Sequence, residues 1–239
     1  MRLAILSDVH GNLHALEAVL DDVATRGVEA TLALGDFLSG PFDPFGVADR
    51  LIGLGLPAVR GNHDRWIVEG RADDWDIDVL VRDGLKPVQR DWLAALPATR
   101  LFGRDVLMTH GTPASDEVNW MDGVLPPDGR IVHMPRDFIE EQARGHDHAV
   151  LLCGHSHVPR TLRLGDGRLL VNPGSVGFPF AFGSPDAHYA IIEKRAAGWS
   201  VDLRAIPYDI EAAARLAEAA GFPSWGAAVR TGWPNPYEL

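Results

Sequence analysis

The sequence predicts an α/β fold, and three observations predict it. Short apolar runs that read as buried strands alternate with segments of helical period as far as about residue 153. Beyond residue 160 the period falls to two, so strands follow strands. Of 239 residues, 46% are hydrophobic and 23% charged, which places the chain in the globular range with enough apolar surface for one core.

Arg2 to Leu6 is the first strand, stopping at Ser7-Asp8-Val9-His10-Gly11. Asn12 is an N-cap, and Leu13, Leu16, Val19, Leu20 and Val23 recur at helical spacing until Gly27. Ala30 to Leu34 is a second strand, followed by Gly35-Asp36, a Gly/Pro-rich loop to Pro44 and a helix over Phe45 to Leu54. Ala58 to Arg60 is a third short strand ending in Gly61-Asn62-His63-Asp64. The acidic run Asp73 to Asp78 reads as a solvated face, and Lys86 to Leu96 as a helix with Trp92, Leu93 and Leu96 inward. Asp105 to Thr109 is a strand ending at His110-Gly111; residues 112 to 148 hold a loop and a helix from Asp137 to Arg144. Ala149 to Cys153 is a strand ending at Gly154-His155-Ser156-His157. Strands are then expected over Thr161 to Leu164, Leu169 to Val171, His188 to Glu193 and Trp199 to Ile206, with a helix over about Ile210 to Ala220 and an aromatic tail. No linker, repeat or shift in composition divides residues 1–239, so a single domain is expected, its C-terminal helix and tail spanning about 209–239.

Acidic residues outnumber basic ones 33 to 22, a net charge of -11. That sign excludes a nucleic-acid polymer or an anionic membrane as the main partner, and leaves room for a small phosphorylated ligand. No apolar run approaches the roughly 18 residues of a membrane span. Cys153, the sole cysteine, has no intrachain disulfide partner, and Asp8 and His10 interrupt any early apolar stretch, so a cytoplasmic protein is expected.

Five strand candidates end in metal-binding side chains: Asp8 and His10, Asp36, Asn62 with His63, His110, and His155 with His157. Ligand sites gather outside the carboxyl ends of parallel strands, so five strands side by side would merge these residues into one site. Carboxylates, an amide oxygen and imidazoles without a thiolate suit manganese, iron or zinc in mixed N/O coordination. Seven ligands are too many for one ion with room for substrate; two ions sharing a carboxylate would use them.

In the same order, Asp8-Val9-His10, Gly35-Asp36, Gly61-Asn62-His63-Asp64, His110 and Gly154-His155-Ser156-His157 resemble the five-block signature of the calcineurin-like metallophosphoesterases. Asp8-Val9-His10-Gly11-Asn12, Thr109-His110-Gly111-Thr112-Pro113 and Asn172-Pro173-Gly174-Ser175-Val176-Gly177 resemble its bacterial and archaeal small phosphodiesterases and diadenosine tetraphosphatase-like enzymes. The resemblance implies a four-layer α/β/β/α sandwich of two mixed β-sheets flanked by helices. It implies two divalent transition-metal ions, manganese first, with iron, zinc, cobalt or nickel acceptable. One would be held by Asp8, His10, Asp36 and His157, the other by Asp36, Asn62, His110 and His155. A metal-bridging hydroxide would attack phosphorus in line, with His63 as general acid or transition-state stabiliser and Asp64 to orient it. The expected substrates are phosphodiesters or nucleoside polyphosphates; a phosphomonoesterase and a non-catalytic scaffold on the same fold are the alternatives. After Asp36 the run Phe37 to Pro44 departs from the subfamily pattern, in a loop expected to border the substrate pocket.

Other features read more plainly. His146 and His148 repeat the His-x-His spacing but follow a helix, and are expected at the surface with His14 and His133. His188 opens a strand with no partner block. Cys153 reads as a small core residue, and Ser175 lacks the glycine of a nucleophile elbow. No P-loop occurs, the lysines being Lys86 and Lys194 alone, and Gly53-Leu54-Gly55 reads as a helix end. Arg60, Arg65 and Arg160 flank the metal blocks and could hold a phosphate oxygen or be ordinary surface arginines. Trp225, Trp233, Pro234, Pro236 and Tyr237 would cover the core or make a subunit contact; the oligomeric state stays open.

Overall fold

The computed structural model describes residues 1–71, 75–125 and 130–234. Asp73, Asp74, Pro236 and Tyr237 lie outside them. In chain order the elements are β1 (Arg2–Leu6), α1 (Leu13–Ala24), β2 (Ala30–Ala33), α2 (Pro44–Leu54), α3 (Asn62–Glu69), α4 (Asp76–Gly84), α5 (Pro87–Ala94), β3 (Arg100–Phe102), β4 (Val106–Met108), β5 (Asp122–Leu125), β6 (Arg130–His133), α6 (Arg136–Gln142), β7 (Val150–Leu152), β8 (Arg160–Arg163), β9 (Leu169–Asn172), β10 (Ala187–Arg195), β11 (Gly198–Ile206), α7 (Ile210–Ala219) and α8 (Pro223–Thr231).

The strands form two mixed sheets, β11-β10-β1-β2 and β3-β4-β7-β9-β8, beside the separate hairpin β5-β6. β1 and β2 run parallel, as do β4, β7 and β9. Because side chains alternate along a strand, each sheet has two apolar faces to cover. Leu3, Ile5, Leu32 and Leu34 of the first sheet meet Val106, Met108, Val150, Leu152 and Val171 of the second. The intervening Ala4, Leu6 and Ala33 pack against Leu16, Val19, Val47 and Leu51 of α1 and α2. On the far side Leu107, Leu151 and Leu170 pack against Ile139 and Ala143 at α6. These are the four layers α/β/β/α. Each fully buried Leu or Val contributes roughly 1.5–3 kcal/mol. Helices α7 and α8 add a further cluster, where Trp225 joins Phe42, Phe178 and Phe180, so that tail tryptophan covers the core; Trp233 stays largely exposed, with Phe182 stacked on it.

Several expectations need correction. The five block-bearing segments do not lie in one parallel sheet: β1 and β2 belong to the first, β4 and β7 to the second. Ala58 makes only an isolated bridge to Ala33, and Asn62-His63-Asp64 is the first turn of α3. The segment is too short for a ladder, and Gly61 caps the helix at once. Asp78 is not solvated; it is wholly buried on α4, where Val81 shares its inner face. The loop expected between residues 112 and 136 carries the β5-β6 hairpin, and α8 stands where a tail was expected. His188 is buried, whereas His14 and most of His133 are exposed.

Candidate metal centre

All the block residues converge at one edge of the sandwich, where β1, β2, β4 and β7 end. Asp8 (φ 55), His10 (φ 47), Asp36 (φ 55), His155 (φ 65) and His157 (φ 57) have left-handed backbone, and among the described residues no other non-glycine residue does. Such a conformation costs an L-residue roughly 1–2 kcal/mol. Strain confined to these five positions marks them as functionally constrained.

The surrounding sequence fixes each turn. Asn12 caps α1 by accepting from the Ala15 N–H at 3.1 Å and donates to the Gly177 carbonyl at 3.1 Å. Ser175 Oγ donates to the Asp8 carbonyl at 2.6 Å, and Asn172 Nδ2 to that of Gly154 at 2.7 Å. The Asn172 to Gly177 block therefore braces the Asp8 and His155 turns from behind. Gly177 must be glycine, because a Cβ there would sit 1.8 Å from the Val9 carbonyl oxygen. At Gly61 a Cβ would meet Asp36 Oδ1 at 2.1 Å.

Both aspartates follow one plan. Asp8 Oδ2 accepts the His155 N–H at 3.2 Å and Asp36 Oδ1 accepts the His63 N–H at 2.9 Å, leaving the other oxygen of each aimed into the cluster. Asp8 Oδ1 is buried without a hydrogen-bond partner. Asp36 Oδ2 lies 3.1 Å from His110 Nε2 and 4.0 Å from His10 Nε2. Asn62 Oδ1 is 3.1 Å from His110 Nε2.

The imidazoles are oriented by carbonyls. His10 Nδ1 faces Ser39 O at 2.6 Å, His157 Nδ1 faces Phe178 O at 2.6 Å, and His110 Nδ1 faces Leu34 O at 2.7 Å. His155 Nε2 faces Glu117 O at 3.0 Å. A ring nitrogen facing a carbonyl must carry hydrogen, so in the neutral ring the opposite nitrogen presents a lone pair. With both rings neutral, His10 Nε2 and His157 Nε2 would point lone pairs at each other across 3.1 Å, and His157 Nε2 lies 3.3 Å from Asp8 Oδ1. Facing lone pairs beside an unpartnered carboxylate oxygen repel unless a cation lies among them. The residues fit metal ions: Asp8, His10 and His157 form one group whose donor atoms lie within 4.8 Å of one another, and Asp36, His110 and His155 form another. His146 and His148 belong to neither.

Burial and the neighbouring His157 press His10 down to about 4; burial and His110 do the same to His155, also to about 4. Burial opposes ionisation of Asp8 and Asp36, but His157 and His110 outweigh it and hold both carboxyls below their usual range. For His110, burial disfavours the imidazolium, yet Asp36 and Asp8 raise it to about 10. Without a metal, a proton on His110 supplies the positive charge that the carboxylates demand.

His63 stands at the edge of the cluster. Its Nδ1 lies 3.0 Å from Asp78 Oδ2 and 3.1 Å from Ser39 Oγ. Burial works against its charged form, but Asp36 and Asp78 outweigh it and raise its pKa. Asp64 does not reach this ring; its carboxylate accepts the N–H groups of Asp36 (2.8 Å), Phe37 (2.9 Å) and Gly61 (2.9 Å). Asp78 therefore orients His63 where Asp64 was expected to. Its spacing from Val81 and Leu85 on one helical face was the available signal. A pocket of about 230 Å³ opens over the cluster, walled by His63, Trp66, Trp75, Phe178, Phe180 and Trp225. The Phe37 to Pro44 loop does not line it; Ser39 supports His10 and His63 from behind.

Two back-to-back mixed sheets with paired His/Asp groups at their common edge define a class of metal-dependent phosphoesterases. The chain belongs to the calcineurin-like phosphoesterase superfamily, whose domain matches residues 1–196. By that membership it is a hydrolase of phosphoric esters. It is 27% identical to the uncharacterised protein MJ0912 of Methanocaldococcus jannaschii, over 93% of this chain and 94% of that one. It is 29% identical to the phosphodiesterase YfcE of Escherichia coli K12, over 81% and 88% respectively. The crystal structure of a metallophosphoesterase from Sphaerobacter thermophilus superposes with a TM-score of 0.78 at 27% identity, covering 97% of this chain and 99% of that one. Among the described residues no helix is long and apolar enough to cross a membrane.

Proposed function

We propose that the protein hydrolyses phosphodiester or nucleoside polyphosphate bonds in a small cytoplasmic substrate, using a pair of divalent metal ions. Asp36 carries this reading: its Oδ2 belongs to the second donor group and also lies 4.0 Å from His10 Nε2 of the first, so one carboxylate could serve both ions. Asp8, His10, Asp36 and His157 would hold the first; Asp36, Asn62, His110 and His155 the second. Manganese is our first choice for both, and iron, zinc, cobalt or nickel would suit the same donors. Bound ions would supply Lewis acidity, activating water and neutralising charge that develops at phosphorus.

The chain's own residues do the rest. His63, held through Nδ1 by Asp78, presents its other nitrogen to the leaving oxygen and delivers a proton there, assistance typically worth ~10²–10⁴-fold. Trp66 and Trp75, whose rings lie 4.8 Å and 5.1 Å from the His63 ring, shield that transfer from bulk water. The phosphodiesterase name of the Escherichia coli relative favours a diester over a monoester. Bis-p-nitrophenyl phosphate assayed with added Mn²⁺ and again in chelator tests the reading: turnover is expected in the first and not in the second. Failure to find metal-dependent turnover on a panel of diesters, polyphosphates and monoesters would leave a non-catalytic scaffold instead.

A further inference from the structure

The three arginines beside the metal blocks have different fates. Arg65 grips Asp116 with two hydrogen bonds, at 2.8 Å and 2.9 Å, and also reaches Glu117 at 2.5 Å. Arg160 donates to the Met121 carbonyl at 3.0 Å and to Asp122 at 2.6 Å. Arg60 has no ion-pair partner among the described residues, and its Nε is buried without a hydrogen bond. Leaving a buried donor unmet costs roughly 1–3 kcal/mol, more for a charged group, so an unmet one invites a ligand.

Arg60 lines a second, polar cavity of about 330 Å³ together with Arg65, Thr99, His110, Thr112 and Ser115. Asp116 and Glu117 also line it; Arg65 engages both carboxylates at hydrogen-bond distance, and Arg60 acts on Asp116 only through the longer-range charge interaction that helps lower its pKa. His110 and Asn62, 3.1 Å apart, stand between this cavity and the aromatic pocket: His110 lines the one, Asn62 the other. An anion at Arg60 would lie next to a phosphate bound at the metal centre. A guanidinium and hydroxyls match phosphate oxygens in charge and in fork geometry. We propose that this cavity is a subsite for a second, neighbouring phosphate of the substrate, with Arg60 as its binding residue. The preferred substrate is then a polyphosphate ester whose organic group occupies the aromatic pocket, rather than an isolated diester.

The inference rests on the phosphoesterase reading, and its test separates the two. Arg60→Ala and Arg60→Lys are compared with the parent in manganese on diadenosine tetraphosphate and on bis-p-nitrophenyl phosphate. Methylenediphosphonate, a non-hydrolysable pair of phosphonates, is titrated calorimetrically into the same manganese-loaded proteins freed of excess metal. Arg60→Ala should lower the polyphosphate-to-diester ratio of kcat/KM at least about tenfold, through KM, and weaken methylenediphosphonate by a similar factor. Arg60→Lys should restore part of each. A ratio and an affinity that stay at parental values in a variant melting at the parental temperature would overturn the subsite. If the parent cleaves neither substrate nor any other phosphoester, the activity itself is wrong, and the calorimetric comparison still decides whether Arg60 holds phosphate groups.

Discussion

Asp64 and Asp78 are both buried, both near His63, and do different work. Asp64 ties three backbone N–H groups that fix the Asp36 turn to the start of α3. Asp64→Ala would strand those donors and should cost about 3 kcal/mol or more, visible as a lower urea midpoint. Asp78 touches a side chain instead, so Asp78→Asn should lower kcat by about tenfold with a much smaller change in that midpoint. His63→Ala should lower kcat by ~10²–10⁴-fold while metal per chain, measured by mass spectrometry, stays at the parental value. Equal losses of metal and rate would show His63 to be a ligand rather than a proton donor. The aspartate and histidine ligand candidates were legible because each follows an apolar strand and falls in a turn with few other uses for such a residue, whereas Asn62 opens α3. Asp78 was not legible, because its acidic neighbours resemble a solvated face and only the inward Val81 and Leu85 betray it.

At the scale of elements, Asp22 clamps the end of α1 to the first sheet. Its carboxylate accepts from Arg26 at 3.1 Å, from Arg204 of β11 at 3.0 Å and from the Tyr189 hydroxyl of β10. Arg26, with smaller help from Tyr189 and Arg204, outweighs desolvation and lowers Asp22 from 3.8 to about 2. A depressed carboxyl stabilises the fold fully above its unfolded value and loses that contribution as pH falls from about 4 towards 2. The melting-temperature gap between parent and Asp22→Asn should therefore be constant from pH 5 to 8 and close on acidification below pH 4. A gap that persists at pH 2 would contradict the clamp. Elements with strong local patterns, such as α1 with its Asn12 cap, were readable from sequence. The β5-β6 hairpin and α8 were not, since Gly123 breaks the strand pattern and Gly226 the helical one, and packing against neighbours decides both.

For the whole molecule, the division of ligands between sheets matters most. Asp8, His10 and Asp36 follow strands of the first sheet, whereas His110, His155 and His157 follow strands of the second. Each donor group draws on both. Pairing between distant strands is not encoded locally, so the sequence pointed to convergence without showing that two sheets share the centre. Filling that centre should staple the sheets together: at a hundredfold excess over Kd, one site adds about 3 kcal/mol. Manganese should raise the melting temperature of chelator-treated protein, with the rise ending near two equivalents per chain. No shift, or a break at one equivalent, would count against a shared centre.

The left-handed turns at Asp8, His10, Asp36, His155 and His157 are loaded springs gathered on one rim. Bound cations would hold them cocked, and stripping the cations would free each backbone to unwind. Amide hydrogen exchange in those turns should then quicken by orders of magnitude, while the long β10-β11 ladder keeps its slow protons, so this rim should be the first part of the protein to loosen when metal is scarce.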